Sequence, residues 1–138
     1  MPQDFNNPQA QEFFAYSVNF SALAAGSSAT GYINIEANSY FKVQKLTFAA
    51  DIAAAAQTES SRVIPNATIL ITNSGSGRQL MNTAVPIPSL FGTGRLPFIL
   101  PTPKVFDPST TITVQVANYD AAVTYNLYIV MIGSKLWF

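Results

Sequence analysis

Two stretches near the C-terminus decide the fold class: TTITVQVAN (Thr110–Asn118) and TYNLYIVMIGSKL (Thr124–Leu136). In the first, Ile112, Val114 and Val116 alternate with Thr111, Thr113, Gln115 and Ala117. That period of two is a strand with one dry face and one wet face. In the second, apolar residues fill both phases from Leu127 to Ile132. A strand apolar on both sides is covered on both sides, by its own core and by something else.

The same alternation recurs towards the N-terminus. Phe14, Tyr16, Val18 and Phe20 share one phase, with Phe13, Ala15, Ser17 and Asn19 in the other. A small-residue turn, Ala24 to Ser28, precedes Ala29–Glu36, where Gly31, Ile33 and Ile35 oppose Thr30, Tyr32, Asn34 and Glu36. Tyr40–Ala50 is a longer strand whose apolar phase slips by one residue near Gln44 and Lys45, the mark of a bulge or bend. Asp51 to Ser61 is the one plausible helix, through Ala53–Ala56, and is short enough to be a loop instead. Arg62–Asn73 is again a strand, Asn73–Gly77 a turn, and Arg78–Asn82 a short strand. Pro86 to Pro108 holds six prolines with Gly92 and Gly94, which forbids a helix or a central strand outside the short Leu96–Leu100. The first twelve residues, rich in Asn, Gln and Pro, read as an extended arm ahead of one domain over residues 13–138. About eight short strands with Gly/Pro/Asn turns predict an all-β chain, an antiparallel two-sheet sandwich of the jelly-roll kind.

Charge is scarce. Seven basic and seven acidic side chains cancel to zero, and charged residues are 10% of 138 against roughly 25% in an ordinary soluble domain. Without a basic excess there is no nucleic-acid binder's counterion release. The longest apolar run, near Tyr128–Gly133, is far short of a membrane span, and MPQDFNNPQAQEFF has no secretory pattern. A neutral, sparsely charged surface tends to associate, so protein partners are expected to cover much of it.

Catalytic and ligand-binding signatures are weak. The chain has no Cys and no His, which removes disulfides, thiolate chemistry, the commonest general base and the commonest transition-metal ligand. Ser74-Gly-Ser-Gly-Arg78 lacks the lysine and following helix of a phosphate loop and reads as a hairpin turn. Gly92-Thr-Gly-Arg95 lacks the third glycine of a dinucleotide fingerprint. No D-x-D-x-D run offers a calcium site, and the acidic residues show no pairing by spacing that would serve a hydrolase. No cofactor is therefore expected, and no catalysis. Asn19-Phe-Ser21 and Asn66-Ala-Thr68 match glycosylation sequons by chance. Tyr32, Tyr40, Tyr119, Tyr125 and Tyr128 could form a sugar-stacking platform, or else fill core and interface. The chain ends on Trp137 and Phe138, which read as docked on the sandwich or on a neighbour.

The ordered set Ile69–Met81 (with its Gly-x-Gly-Arg turn), Ser89–Asn118 (Leu-Phe-Gly, Pro-Phe-x-Leu-Pro, Pro-x-Ser-Thr-x-Ile-x-Val) and Tyr125–Leu136 (ending Gly-x-Lys) resembles the small jelly-roll decoration or cement proteins of tailed-bacteriophage heads. The resemblance covers about residues 64–136. It implies a non-enzymatic virion protein on the capsid exterior, assembled in the host cytoplasm. Its partners would be the major capsid protein and itself, as a homodimer or homotrimer. The candidate contacts are the arm (Phe5, Asn6, Asn7, Pro8), the Pro-rich loop (Phe91, Arg95, Lys104, Phe106) and the terminal Trp137 and Phe138. The rival reading is a carbohydrate- or receptor-binding module on the virion. A small hydrolase is a third.

Overall fold

The computed structural model describes residues 10–53, 63–74 and 76–138. Nine strands and one helical turn are formed among them. They are β1 (Ala10–Leu23), β2 (Ser28–Asn34), β3 (Tyr40–Ile52), β4 (Ala67–Asn73), β5 (Arg78–Gln79), β6 (Val85–Pro86), α1 (Ile87–Leu90), β7 (Phe98–Phe106), β8 (Thr111–Asn118) and β9 (Tyr125–Trp137).

The antiparallel pairings nest. β1 pairs with β9, β2 with β8, β3 with β7, and β4 with β5 and β6. This is one long hairpin folded back on itself. Rolling it up adds β3 beside β9 and β4 beside β8. The result is two sheets, ordered β1-β9-β3-β7 and β2-β8-β4-β5. That pattern is a jelly roll, the all-β sandwich expected from the strand periodicity.

The core lies between the sheets. Phe41, Val43, Ile69, Ile71, Ile112, Val114, Leu127, Ile129 and Met131 are fully buried there. Each sits on the apolar phase of its strand, so alternation alone sorts them inward. Gly31 is forced by this packing, because a Cβ on it would run into Val18 and Phe20 of β1. The phase slip of β3 is real. Its ladders with both β7 and β9 shift between Val43 and Lys45. At that bulge Gly133 comes so close to the backbone carbonyl of Lys42 that a side chain there would collide with it.

Five expectations need correction. A helical turn, Ile87–Leu90, does form in the Pro-rich stretch, because Pro88 stands in its first turn, where no intrahelical N–H is needed. β7 runs on to Phe106 through Pro101 and Pro103, which is possible because it is an edge strand with one side free of a ladder. Residues 10–12, assigned to the arm, pair as Ala10 with Trp137, Gln11 with Leu136 and Glu12 with Lys135, since β9 extends far enough to offer them partners. The strand expected from Arg62 starts only at Ala67, and that expected over Arg78–Asn82 has two residues. The candidate helix over 51–61 falls mostly outside the described residues. Its described start, Asp51–Ile52, is the end of β3.

Candidate docking surface

The two outer faces of the sandwich differ sharply. On sheet β2-β8-β4, register places Tyr32, Thr113 and Thr72 in one row, Thr30, Gln115 and Leu70 in the next, and Ser28, Ala117 and Thr68 in a third. This is a hydroxyl-rich face without a charge, suited to water. On sheet β1-β9-β3-β7 the rows read Phe13, Ser134, Lys42, Val105; then Ala15, Ile132, Lys45, Ile99; then Ser17, Val130, Thr47; then Asn19, Tyr128, Ala49. This face is largely apolar, and its charges are the two lysines.

Its exposed hydrophobic residues are large. Phe13 is 75% exposed and Ile99 64%, and Leu96, on the loop that leads into β7, is 80% exposed. The outward residues of β9, Tyr128, Val130 and Ile132, are half-buried by flanking side chains of their own sheet. No second layer covers them among the described residues. The doubly apolar pattern of β9 thus reports a central strand whose outer side the described chain leaves bare. At one end an open cleft of about 820 Å³ lies between β3, β9 and the loop at residues 93–95, lined by Ala49, Tyr128, Ile64, Thr93 and Arg95. Ile64, on its rim, is 78% exposed.

Gly92 holds that loop in place. It bridges to Thr47 in parallel, accepts a hydrogen bond from the Phe48 N–H at 2.8 Å, and has no room for a side chain against Leu96 and Phe98. The ends of the sheet are pinned by polar contacts. The Lys135 ammonium points inward, 3.8 Å from the Phe14 ring centroid, and donates to Glu36 Oε2 at 2.7 Å. Asn126 donates to Asp51 at 2.8 Å and accepts from the Ala22 N–H at 2.8 Å, where β1 turns through a positive φ. In the loop between β8 and β9, the N–H groups of Ala122 and Val123 donate to Asp120, and so does the Tyr125 hydroxyl. These bonds hold the Asp120 carboxyl below its ordinary value. Burial, then the bond to Asp120, pushes the Tyr125 phenol above its ordinary value.

The residues nominated from sequence separate into groups. Phe5, Asn6, Asn7 and Pro8 lie outside the described residues. Phe91 and Phe106 are 3% and 0% exposed and belong to the core, so they offer no ring to a partner. Phe91 follows the helical turn α1 and Phe106 ends β7, and both rings join the core cluster between the sheets. Lys104 lies over the Phe106 ring, 5.8 Å from its centroid, on the rim of a second groove. Trp137 is half-buried, and Phe138 packs edge-on against Tyr40 at 5.4 Å, so the terminal aromatics dock on their own sandwich. Arg95 is exposed beside the apolar face. The tyrosines form no common platform. Tyr32 and Tyr128 lie on opposite faces, and Tyr125 is buried.

Sequence reasoning missed Phe13, Leu96 and Ile99 as surface anchors. The signal was present for Phe13, a large aromatic in the phase it shares with Ser17 and Asn19. Ile99 carried none, because its orientation depends on a break in the β3–β7 ladder between Val43 and Lys45.

No family model and no curated protein matches the chain. Among solved structures, the crystal structure of the infectious bursal disease virus VP2 subviral particle is similar over 95% of this chain and 38% of that one, with a TM-score of 0.37 and 11% identity. The chain therefore spans well under half the length of that protein. The jelly-roll assignment rests on the strand pairings above.

Proposed function

We propose that this chain is a non-enzymatic structural protein of a virion, which lays its β1-β9-β3-β7 face on the outer surface of an assembled phage capsid and cements neighbouring major capsid subunits. The observation that carries the reading is the contrast between the two outer faces, one hydroxyl-rich and the other apolar with Phe13, Ile99, Lys42 and Lys45. Exposed apolar area of that kind marks a protein contact. Four strands and four rows span about 500 Å² of sheet, from strand spacing and rise. A standard interface takes about 800 Å² from each partner. The face supplies more than half of this, and the bordering loop with Leu96 and Arg95 extends it. The lysines and Arg95 favour a partner whose matching surface carries carboxylates.

Such a protein would work by linkage. Binding the assembled shell but not the free subunit stabilises the shell by the binding free energy of every copy. A copy touching two subunits gains further, because its second contact is intramolecular. The test is co-sedimentation of the full chain with emptied phage heads. Saturable binding is expected, weakened about tenfold or more by Leu96→Ser with Ile99→Ser, since each buried aliphatic side chain is worth about 1.5–3 kcal/mol. Tyr32→Ser on the other face should leave binding unchanged. Absence of saturation, or equal binding by the double variant, contradicts the proposal.

A further inference from the structure

The four sheet edges are unequally protected against pairing with another chain. Edges are normally blunted by shortness, proline, charge or a bulge. On one flank, β5 and β6 have two residues each, and β7 carries Pro101, Pro103, Lys104 and the ladder break opposite Val43–Lys45. The other flank is different. There β1 and β2 lie side by side, with Val18 and Phe20 packed on Gly31. β2 has seven residues with a glycine at its centre. β1 has fourteen, and from Phe13 to Phe20 it contains no charge, no proline and no glycine. Its ladder to β9 is unbroken from Ala10 to Phe20, and among the described residues no backbone group pairs on its other side. In an antiparallel strand alternate residues turn their N–H and C=O away from the neighbour, so about five residues of the regular stretch Ala10–Phe20 turn both away from β9.

We infer that β1 is a strand-addition site whose occupant is β1 of a second copy, paired antiparallel across a two-fold axis to join two four-stranded sheets into one of eight. This goes beyond the capsid-binding reading and does not depend on it. The occupant follows from the sequence of the edge. A two-fold pairing sets the strand against itself, and a charged strand would then repel itself. Here the central stretch sets Phe13, Ala15, Ser17 and Asn19 against one another, which is neutral. A partner chosen for charge would find none to match. The assembly also closes, because the opposite flank is guarded and each copy has one long open edge, so pairing ends at a dimer instead of a filament.

The test is sedimentation equilibrium of the full chain without heads. A dimer is expected. Ala15→Lys with Ser17→Lys places like charges directly opposite one another and should raise the dimer dissociation constant at least tenfold. The matching glutamate pair, A15E with S17E, should do the same, and mixing the two variants should restore dimer as a heterodimer. Thr102→Lys on the guarded flank should leave the dimer intact. Circular dichroism of each variant checks that the sandwich is folded. A folded wild-type chain that stays monomeric, or a dimer indifferent to the β1 charges, overturns the inference. Head binding by such a monomer would leave the capsid-face reading standing.

Discussion

Replacing Phe106 with alanine separates core from surface in the Pro-rich segment, where sequence alone suggests a partner contact. The ring is completely buried, at the end of β7 and opposite an equally buried Phe41. Its removal loses the transfer free energy of the side chain and leaves a cavity that β3 and β7 cannot collapse into, together about 3–5 kcal/mol. The cation contact from Lys104, 5.8 Å from the ring centroid, adds about 0.5–1 kcal/mol. A domain with about 5–15 kcal/mol of total stability loses about a quarter or more of it. For a chain of this size each kcal/mol moves the melting temperature by about 3–5 °C, so the expected drop is about 10–30 °C. Ile99→Ala, seven residues earlier on the same strand but 64% exposed, should cost no more than about 0.5 kcal/mol. Urea denaturation of both variants gives the comparison, with the m-value as a check that the unfolded state is unchanged. A loss below about 1 kcal/mol for Phe106→Ala, or an equal loss for Ile99→Ala, refutes the orientation of β7.

Gly133→Ala should destabilise by about 3 kcal/mol or more, because the new methyl meets the fixed backbone of Lys42 and no side-chain rotation relieves it; thermal melting measures this. Glu36→Gln should cost about 1 kcal/mol, discounted because the Glu36 side chain is 51% exposed, whereas Lys135→Met should be neutral or stabilising in the same melts, because Lys135 is buried against Phe14 and its methylenes can be replaced by a thioether. The folded-state pKa of Asp120 is depressed, so its contribution is present above the ordinary carboxylate value of 3.8 and is lost as pH falls through the lower folded value. Urea midpoints between pH 2 and 6 should therefore fall less steeply for Asp120→Asn than for the wild type. Tyr125 has the opposite sense, its contribution being lost as pH rises through a value above 10.0, and Tyr125→Phe should flatten the alkaline limb of the same profile.

Much of the fold was legible because strand periodicity is local. Ile112, Val114 and Val116 alternate in sequence and are buried as read, and the slip at Gln44–Lys45 marks the true ladder shift. Tight turns were equally plain. Gly77 adopts a positive φ and its N–H closes the hairpin onto Asn73. What sequence did not carry was long-range geometry. Phe91 and Phe106 sit among prolines and look like loop residues, yet the second sheet buries them. Conversely Leu96 and Ile99 look like core residues of a short strand, but Leu96 lies on the loop before β7 and Ile99 on the outer side of that edge strand, and both are exposed. The doubly apolar β9 reads as a strand covered on both sides, whereas among the described residues its outer side is only half-buried, by Ala15, Ser17, Thr47 and Ala49 on adjacent strands, which only the register reveals. The helical turn at Ile87–Leu90 escaped notice because proline is hostile to helix interiors and harmless in a first turn.

The most direct test of the capsid-face reading is hydroxyl-radical footprinting of the chain free and bound to emptied phage heads, with labelling read residue by residue. The account predicts that Leu96, Ile99 and Tyr128 lose reactivity on binding while Tyr32, on the hydroxyl-rich face, keeps it. Unchanged labelling of Leu96 and Ile99 on saturated heads, or protection of Tyr32 in their place, would contradict it.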